Sequence, residues 1–136
     1  IFRPSIIASA HDDPFPGWTD SLSAAGGLSL LCSLGLINYI KLQTPGFTNR
    51  FDVIPVDIVS NGILITTAHA AKKQGNELDI YNCGTSCQNY ITMSDYGDLI
   101  RASFRDFSFN KKAFDYVNTE FISNPTEFKV KRTLFN

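Results

Sequence analysis

Five tyrosines, three cysteines and two histidines hold most of the acid–base, nucleophilic and metal-ligating capacity of this chain. A tyrosine becomes a general acid toward a carbonyl when a lysine one helical turn further on lowers its pKa, so the spacing that matters is Tyr-x-x-x-Lys. Four residues after Tyr39, Tyr81, Tyr90, Tyr96 and Tyr116 stand Gln43, Thr85, Ser94, Ile100 and Glu120, and none is lysine. A glycine-rich turn of the form Gly-x-Gly-x-x-Gly, which lets backbone approach a pyrophosphate, is also missing. Cys83 and Cys87 are spaced C-x-x-x-C, but a structural zinc needs four ligands, and His11 and His69 stand alone and distant in sequence. No metal site is expected, and Cys83 reads as a small buried hydrophobe at a strand end. With an odd number of cysteines, reduced thiols are the default.

The remaining chemistry lies in short motifs. Arg3-Pro4-Ser5-Ile6-Ile7 is followed by Pro14-Phe15-Pro16-Gly17-Trp18, then by Ile54-Pro55-Val56-Asp57-Ile58-Val59. Tyr81-Asn82-Cys83 and Ile91-Thr92 come next. In this order the motifs resemble the fatty acyl-CoA reductase family, whose fold is an extended short-chain dehydrogenase, and the resemblance spans residues 2–99. It implies that Pro4, Ser5 and Ile6 form a strand end beside the nicotinamide of NADPH. It also implies that Phe15, Gly17 and Trp18 belong to an insertion near the acyl substrate, although a large aromatic such as Trp18 can equally anchor a loop on the core. The family's glycine-rich turn and Tyr-x-x-x-Lys pair lie before the Arg-Pro-Ser strand. The chain therefore looks like the C-terminal half of a reductase domain, with no catalytic residue of its own.

Two departures from the family stand out. Where the family has a Gly-Pro-x-Gly run, this chain has Ser23-Ala24-Ala25-Gly26-Gly27, which relaxes a rigid turn. The basic helix segment expected next is Ser33-Leu34-Gly35-Leu36-Ile37-Asn38, and no cation appears until Lys41. A role for such cations in holding the phosphates of coenzyme A is in doubt here.

A formal net charge of -1 with interspersed signs gives no field that would track phosphates, which argues against nucleic acid as a partner. Lys129, Lys131 and Arg132 beside Phe128, Leu134 and Phe135 make a short basic amphipathic tail, so membrane association stays open beside the plainer reading of an ordinary helix. The most apolar stretch, residues 28–40, is shorter than the roughly 20 residues that cross a bilayer. The start, Ile1-Phe2-Arg3, reads as mid-strand without an initiator Met, so a processed, split or incomplete protein is expected.

Patterning places these motifs on elements. A strand should end near Phe2, where Pro4 fixes φ and removes a donor. Residues 22–40 are expected to be helical over much of their length, with Leu28, Leu31, Cys32, Gly35 and Tyr39 on one face. Residues 51–54 read as a strand, Asp57 as the cap of a following helix, and Gly75 as its stop. Alternation over residues 78–82 suits another strand. Thr92 or Ser94 should cap a helix carrying Ile100, Phe104 and Phe107, and Asn124-Pro125 should open a last one.

This βα alternation predicts an α/β fold with a parallel, helix-covered and partial sheet, and the resemblance implies that it is a partial NAD(P)-binding Rossmann-like half, residues 1–107, then a linker and the start of a helical segment, residues 108–136. Parallel strands need cover on both faces, so a complementary Rossmann half on the same or another chain is the expected partner, within a larger assembly. The favoured function is a reductase-derived scaffold without a complete active site. The alternative is part of an active NADPH-dependent reductase whose cofactor turn and Tyr/Lys pair lie elsewhere. NADPH is expected only if that other half is intact, and none from this chain alone. An intracellular site is expected, with endoplasmic reticulum, peroxisome and mitochondrion all open and no peroxisomal tail in Thr133-Leu134-Phe135-Asn136.

Overall fold

The computed structural model describes residues 1–22, 24–43, 49–75, 77–106 and 119–134, with side chains excepted at 104–106. The expected boundary at 107/108, and Phe107 as a helix position, lie outside the described residues. The described chain forms two compact units, Ile1–Gly26 with Asp52–Tyr90, and Gly27–Phe51 with Ile91–Asn136.

The first unit is built on residues 2–8. Strand β1 (Phe2–Pro4) pairs in parallel with β6 (Tyr81–Cys83), and β2 (Ile6–Ala8) pairs in parallel with β5 (Val53–Pro55). Between them the partner changes. Ser5 donates its N–H to the Cys83 carbonyl at 2.9 Å, and Ile6 donates to the Asp52 carbonyl at 3.1 Å. Successive residues of a strand present their backbone groups to opposite edges, so one extended segment serves a neighbour on each side. Pro4 stands at the change of partner, where its missing N–H points away from β6 and costs no bond to that strand. The three strands thus run β6, β1/β2, β5, all parallel, as the βα alternation predicts.

Helix α2 (Val56–Lys72) follows β5 directly and packs on β1, β2, β5 and β6. Its N-cap is Pro55, with ψ 141°, and no side chain caps it. Asp57, expected as the cap, lies inside the first turn instead, where its charge suits the helix dipole. Close packing is possible because residue 62 is glycine: a Cβ there would come within 2.8 Å of the Phe2 ring. The helix ends at Lys72, before the expected stop, and the Lys73 N–H closes it on the His69 and Ala70 carbonyls. Gly75, at φ 111°, serves the turn beyond. Ile54 and Val59 are buried in this unit, while Ile58, Leu64 and Ile65 on α2 and Ile6 and Ile7 on β2 remain exposed.

Helix α1 (Ala24–Ser33) is shorter than the pattern over residues 22–40 suggests. Gly35, at φ 72°, ends the turn after it, and Tyr39 begins strand β3 (Tyr39–Lys41). The apolar run there belongs to two elements, which is why its face is too broad for one helix. In the second unit β3 pairs in parallel with β8 (Glu120–Ile122), and β4 (Arg50–Phe51) pairs antiparallel with β7 (Ile91–Thr92). The strand expected over residues 51–54 is therefore two strands, β4 and β5, parted at Asp52.

Of the two expected caps, Thr92 rather than Ser94 opens α3 (Met93–Asp106). The Asp95 N–H donates to Thr92 Oγ1 at 3.1 Å and the Thr92 N–H to Asp95 Oδ2 at 2.9 Å, the reciprocal pair of a capping box. Asn124 likewise caps α4 (Pro125–Leu134), accepting from the Thr126 N–H at 2.9 Å, with Pro125 at the first helical position. Among the described residues of this unit, Cys32, Leu42, Ile100 and Ile122 are the buried apolar ones, with Ser33 and Thr119. The Thr119 hydroxyl is satisfied by the Ile37 carbonyl at 2.7 Å.

Gly97 of α3 faces the Phe121 ring so closely that a Cβ would fall inside the ring's van der Waals envelope. Alanine gains about 1 kcal/mol over glycine in a helix interior, while overpacking costs about 1–3 kcal/mol, so a net loss is expected from Gly97→Ala. A lower denaturant midpoint, partly recovered on adding Phe121→Leu, is the expected result; a raised midpoint would contradict the packing.

Candidate functional site

In parallel α/β units ligands sit beyond the carboxyl ends of the strands. Here that edge is formed by residues 9–18 after β2 and by the first turn of α2 after β5. Residues 9–18 turn back on themselves: Gly17 donates to the Ala10 carbonyl at 2.9 Å, Ala10 to the Trp18 carbonyl at 2.9 Å, and Trp18 to the Phe15 carbonyl at 3.1 Å. Gly17 sits at φ 84°, a conformation that favours glycine, and a Cβ there would meet nothing within 4 Å, so backbone shape rather than space selects it. Ala10 is buried, Trp18 half-buried and Phe15 58% exposed, so the loop holds one aromatic against the protein and presents the other to solvent.

Asp57 ties this loop to the helix. Its Oδ1 accepts the His11 N–H at 3.0 Å, and its Oδ2 accepts those of Asp12 at 2.9 Å and Asp13 at 3.2 Å. Its Oδ1 also takes the Ile58 N–H at 3.1 Å. Three consecutive amides converging on one carboxylate make an anion nest filled by the protein itself. The Asp12 amide, then that of His11, holds the Asp57 carboxyl well below the usual carboxylate range. Asp57 thus stabilises the loop, a role that its reading as a helix cap missed. The partners lie 44 to 46 residues away in sequence, and no local spacing reports them.

Pro4, Ser5 and Ile6 come together at the partner change in the middle of the sheet. The Ser5 and Ile6 amides are engaged with Cys83 and Asp52, and Pro4 has none. Ser5 Oγ is buried and finds no hydrogen-bonding geometry among the described residues, although it lies near enough to Asp52 to lower that carboxyl slightly. Asp52 is the second residue that the sequence did not announce. Its carboxylate accepts the Thr85 N–H at 2.8 Å and fills the space that a side chain at Gly84 would need. Pro4, Ser5 and Ile6 thus form one strand segment and Phe15, Gly17 and Trp18 one loop, both in the first unit.

A separate hollow of about 390 Å³, lined in part by Phe2, Ile63, Thr66, Ala70, Asp79 and Tyr81, opens at the amino end of β1 and β6. It lies at the end of the strands opposite the one where such folds bind ligands. Among the described residues no group of three or more His, Cys, Asp or Glu side chains could hold a metal ion. None of the described helices is long and apolar enough to cross a membrane.

Parallel strand pairs covered by α2, with a built loop at their carboxyl edge, are consistent with part of a Rossmann-like α/β fold. A model of an NAD-binding domain, described as male sterility protein, matches residues 1–63. Fatty acyl-CoA reductase 1 of Rattus norvegicus is 28% identical over 124 residues, covering 91% of this chain and 23% of the relative. Probable fatty acyl-CoA reductase 4 of Arabidopsis thaliana is 34% identical over 104 residues, 76% of this chain and 20% of the relative. Fatty acyl-CoA reductase 2 of Bos taurus is 29% identical over 124 residues, again 91% and 23%. The chain belongs to the fatty acyl-CoA reductase family. It spans about a fifth of the length of these relatives.

The Ser86 hydroxyl, followed by the Thr85 amide, lowers the Asp52 carboxyl to about 2. Because the folded value lies below the roughly 3.9 of an unfolded aspartate, the contact's contribution is fully present above pH ~4 and fades as pH falls toward ~2. Hydrogen exchange at the Thr85 amide should therefore stay slow down to about pH 4 and quicken below it, after correction for intrinsic rates. Asp52→Asn should remove that pH step, and a step that survives the substitution would assign it to another group.

Proposed function

We propose that this chain forms the carboxyl-edge wall of an NADPH-dependent fatty acyl-CoA reductase site, supplying cofactor-side and substrate-side surfaces but not the proton donor. The observation that carries the proposal is the loop of residues 9–18, closed on itself and fastened to α2 at the carboxyl end of β2. A loop held by this many backbone hydrogen bonds is preorganised, and preorganised loops at this edge are where such folds place their ligands. The names of the relatives supply the substrate class, fatty acyl-CoA.

The residues present fit the nicotinamide end of the cofactor and not its pyrophosphate. Ser5 offers a buried hydroxyl beside Asp52 at the strand segment 4–6, whereas no glycine-rich turn occurs in the sequence. The Ser5 and Ile6 amides are engaged in the sheet and Pro4 has none, so a carboxamide there would have the Ser5 hydroxyl to bond with rather than a backbone N–H. When bound, the reduced nicotinamide supplies hydride to the thioester carbon. Phe15, exposed on the fixed loop, offers the acyl group an apolar face, and Gly17 and Trp18 hold that face in place. The negative charge developing on the thioester oxygen needs an acid, and the Tyr-x-x-x-Lys pair suited to it is not among these residues.

A second reading, a reductase-derived scaffold that has lost the chemistry, is favoured by helix α1. Its sequence Ala-Ala-Gly-Gly-Leu-Ser-Leu-Leu-Cys-Ser carries no charge, so it offers nothing electrostatic to the phosphates of coenzyme A. The exposed Ile6, Ile7, Leu64 and Ile65 suit cover by a complementary Rossmann half under either reading.

The purified chain alone should not oxidise NADPH in the presence of an acyl-CoA, because it holds neither the cofactor turn nor the acid. The test between the readings is a chimera in which this chain replaces the matching segment of the Arabidopsis relative. Acyl-CoA-dependent NADPH oxidation supports the enzyme reading. A folded chimera that binds NADPH without turnover supports the scaffold.

A further inference from the structure

We infer that Asp57 is a positioning residue, which fixes the loop of residues 9–18 by gathering three consecutive amides and thereby sets the shape of the wall that an acyl group meets. The substrate half of this inference rests on the function proposed above; the loop half rests on geometry alone. The His11, Asp12 and Asp13 amides reach the carboxylate at 3.0, 2.9 and 3.2 Å. The other fastenings of the loop, between Ala10, Phe15, Gly17 and Trp18, join the loop only to itself. They fix its internal shape, whereas Asp57 fixes its place against the first turn of α2.

Chemistry makes this role specific to a carboxylate. Three donors aimed at one point need an acceptor with two oxygens and a full charge, and hydrogen bonds to a charged acceptor are about twice as strong as neutral ones. An asparagine has the same shape but would turn an NH₂ group toward one set of N–H donors. The side chains of His11, Asp12 and Asp13 are themselves solvent-facing, with His11 Nε2 3.6 Å from Asp12 Oδ2, so they do not replace the anchor. Helix α2 begins one residue before Asp57, so the anchor's backbone is held by the first helical turn.

The experiment is hydrogen exchange, residue by residue, on the reductase chimera and its Asp57→Asn variant. Exchange at the amides of His11, Asp12 and Asp13 should quicken about tenfold or more, while the Ser5 and Tyr81 amides, held by the β1–β6 pairing, keep their rates. The KM for acyl-CoA should rise several-fold, with a smaller change in kcat and none in the KM for NADPH. Unchanged exchange at residues 11–13 would overturn the inference, as would a released loop with an unaltered KM for acyl-CoA. Should Asp57→Asn also lose protection at Ser5 and Tyr81, Asp57→Glu decides. It keeps the charge but displaces the carboxylate, so local release with the sheet intact supports the role, and equal loosening throughout overturns it. An unsubstituted chimera that protects these amides yet never turns over acyl-CoA would defeat the reductase proposal, and the exchange comparison would still decide the anchoring.

Discussion

The carboxyl edge of the first unit depends on how residues 2–8 divide their backbone hydrogen bonds. Had this segment stayed with β6 throughout, β5 would lose its partner and α2 would start from an unsupported strand. Ser5 bonds to one side and Ile6 to the other, and Pro4 stands where a donor can be lost without breaking the β6 ladder. From that switch follow the parallel order β6, β1/β2, β5, the launch of α2 after Pro55, and the return of residues 9–18 over its first turn. The contact of Phe2 with Gly62 closes the arrangement from the helix side, since any side chain at that position would press on the ring.

What sequence could reveal followed from the range of the interactions. Caps and βα alternation are local, and Thr92 with Asp95 and Asn124 with Pro125 appear where their spacing places them. Motifs are legible for the same reason, because Arg3-Pro4-Ser5 and Pro55-Val56-Asp57 are short contiguous strings. The helix expected over residues 22–40 fails at Gly35, whose positive φ ends the turn while the hydrophobic pattern runs on into β3. The immediate neighbours of Asp57 suggest a cap, a position that Pro55 takes instead.

The anchors of the candidate site were the least legible. Asp52 reaches Thr85 across 33 residues of sequence and Asp57 reaches His11 across 46. An aspartate at a strand or helix boundary has many uses, and only tertiary structure selects among them. The site residues expected from the resemblance, Pro4, Ser5, Ile6, Phe15, Gly17 and Trp18, fall on one strand segment and one loop, and the carboxylates that hold their surroundings were absent from that expectation.

The closed loop also has an optical consequence. Trp18 is the only tryptophan in the sequence, and it lies half-buried in that loop with its carbonyl bonded to the Ala10 amide. Its indole emission comes from no other place in the chain, so with excitation at the red edge, where the tyrosines do not absorb, the colour and intensity of that emission follow the solvent around residue 18. The protein thus carries a built-in fluorophore on the loop at the carboxyl edge of its first unit.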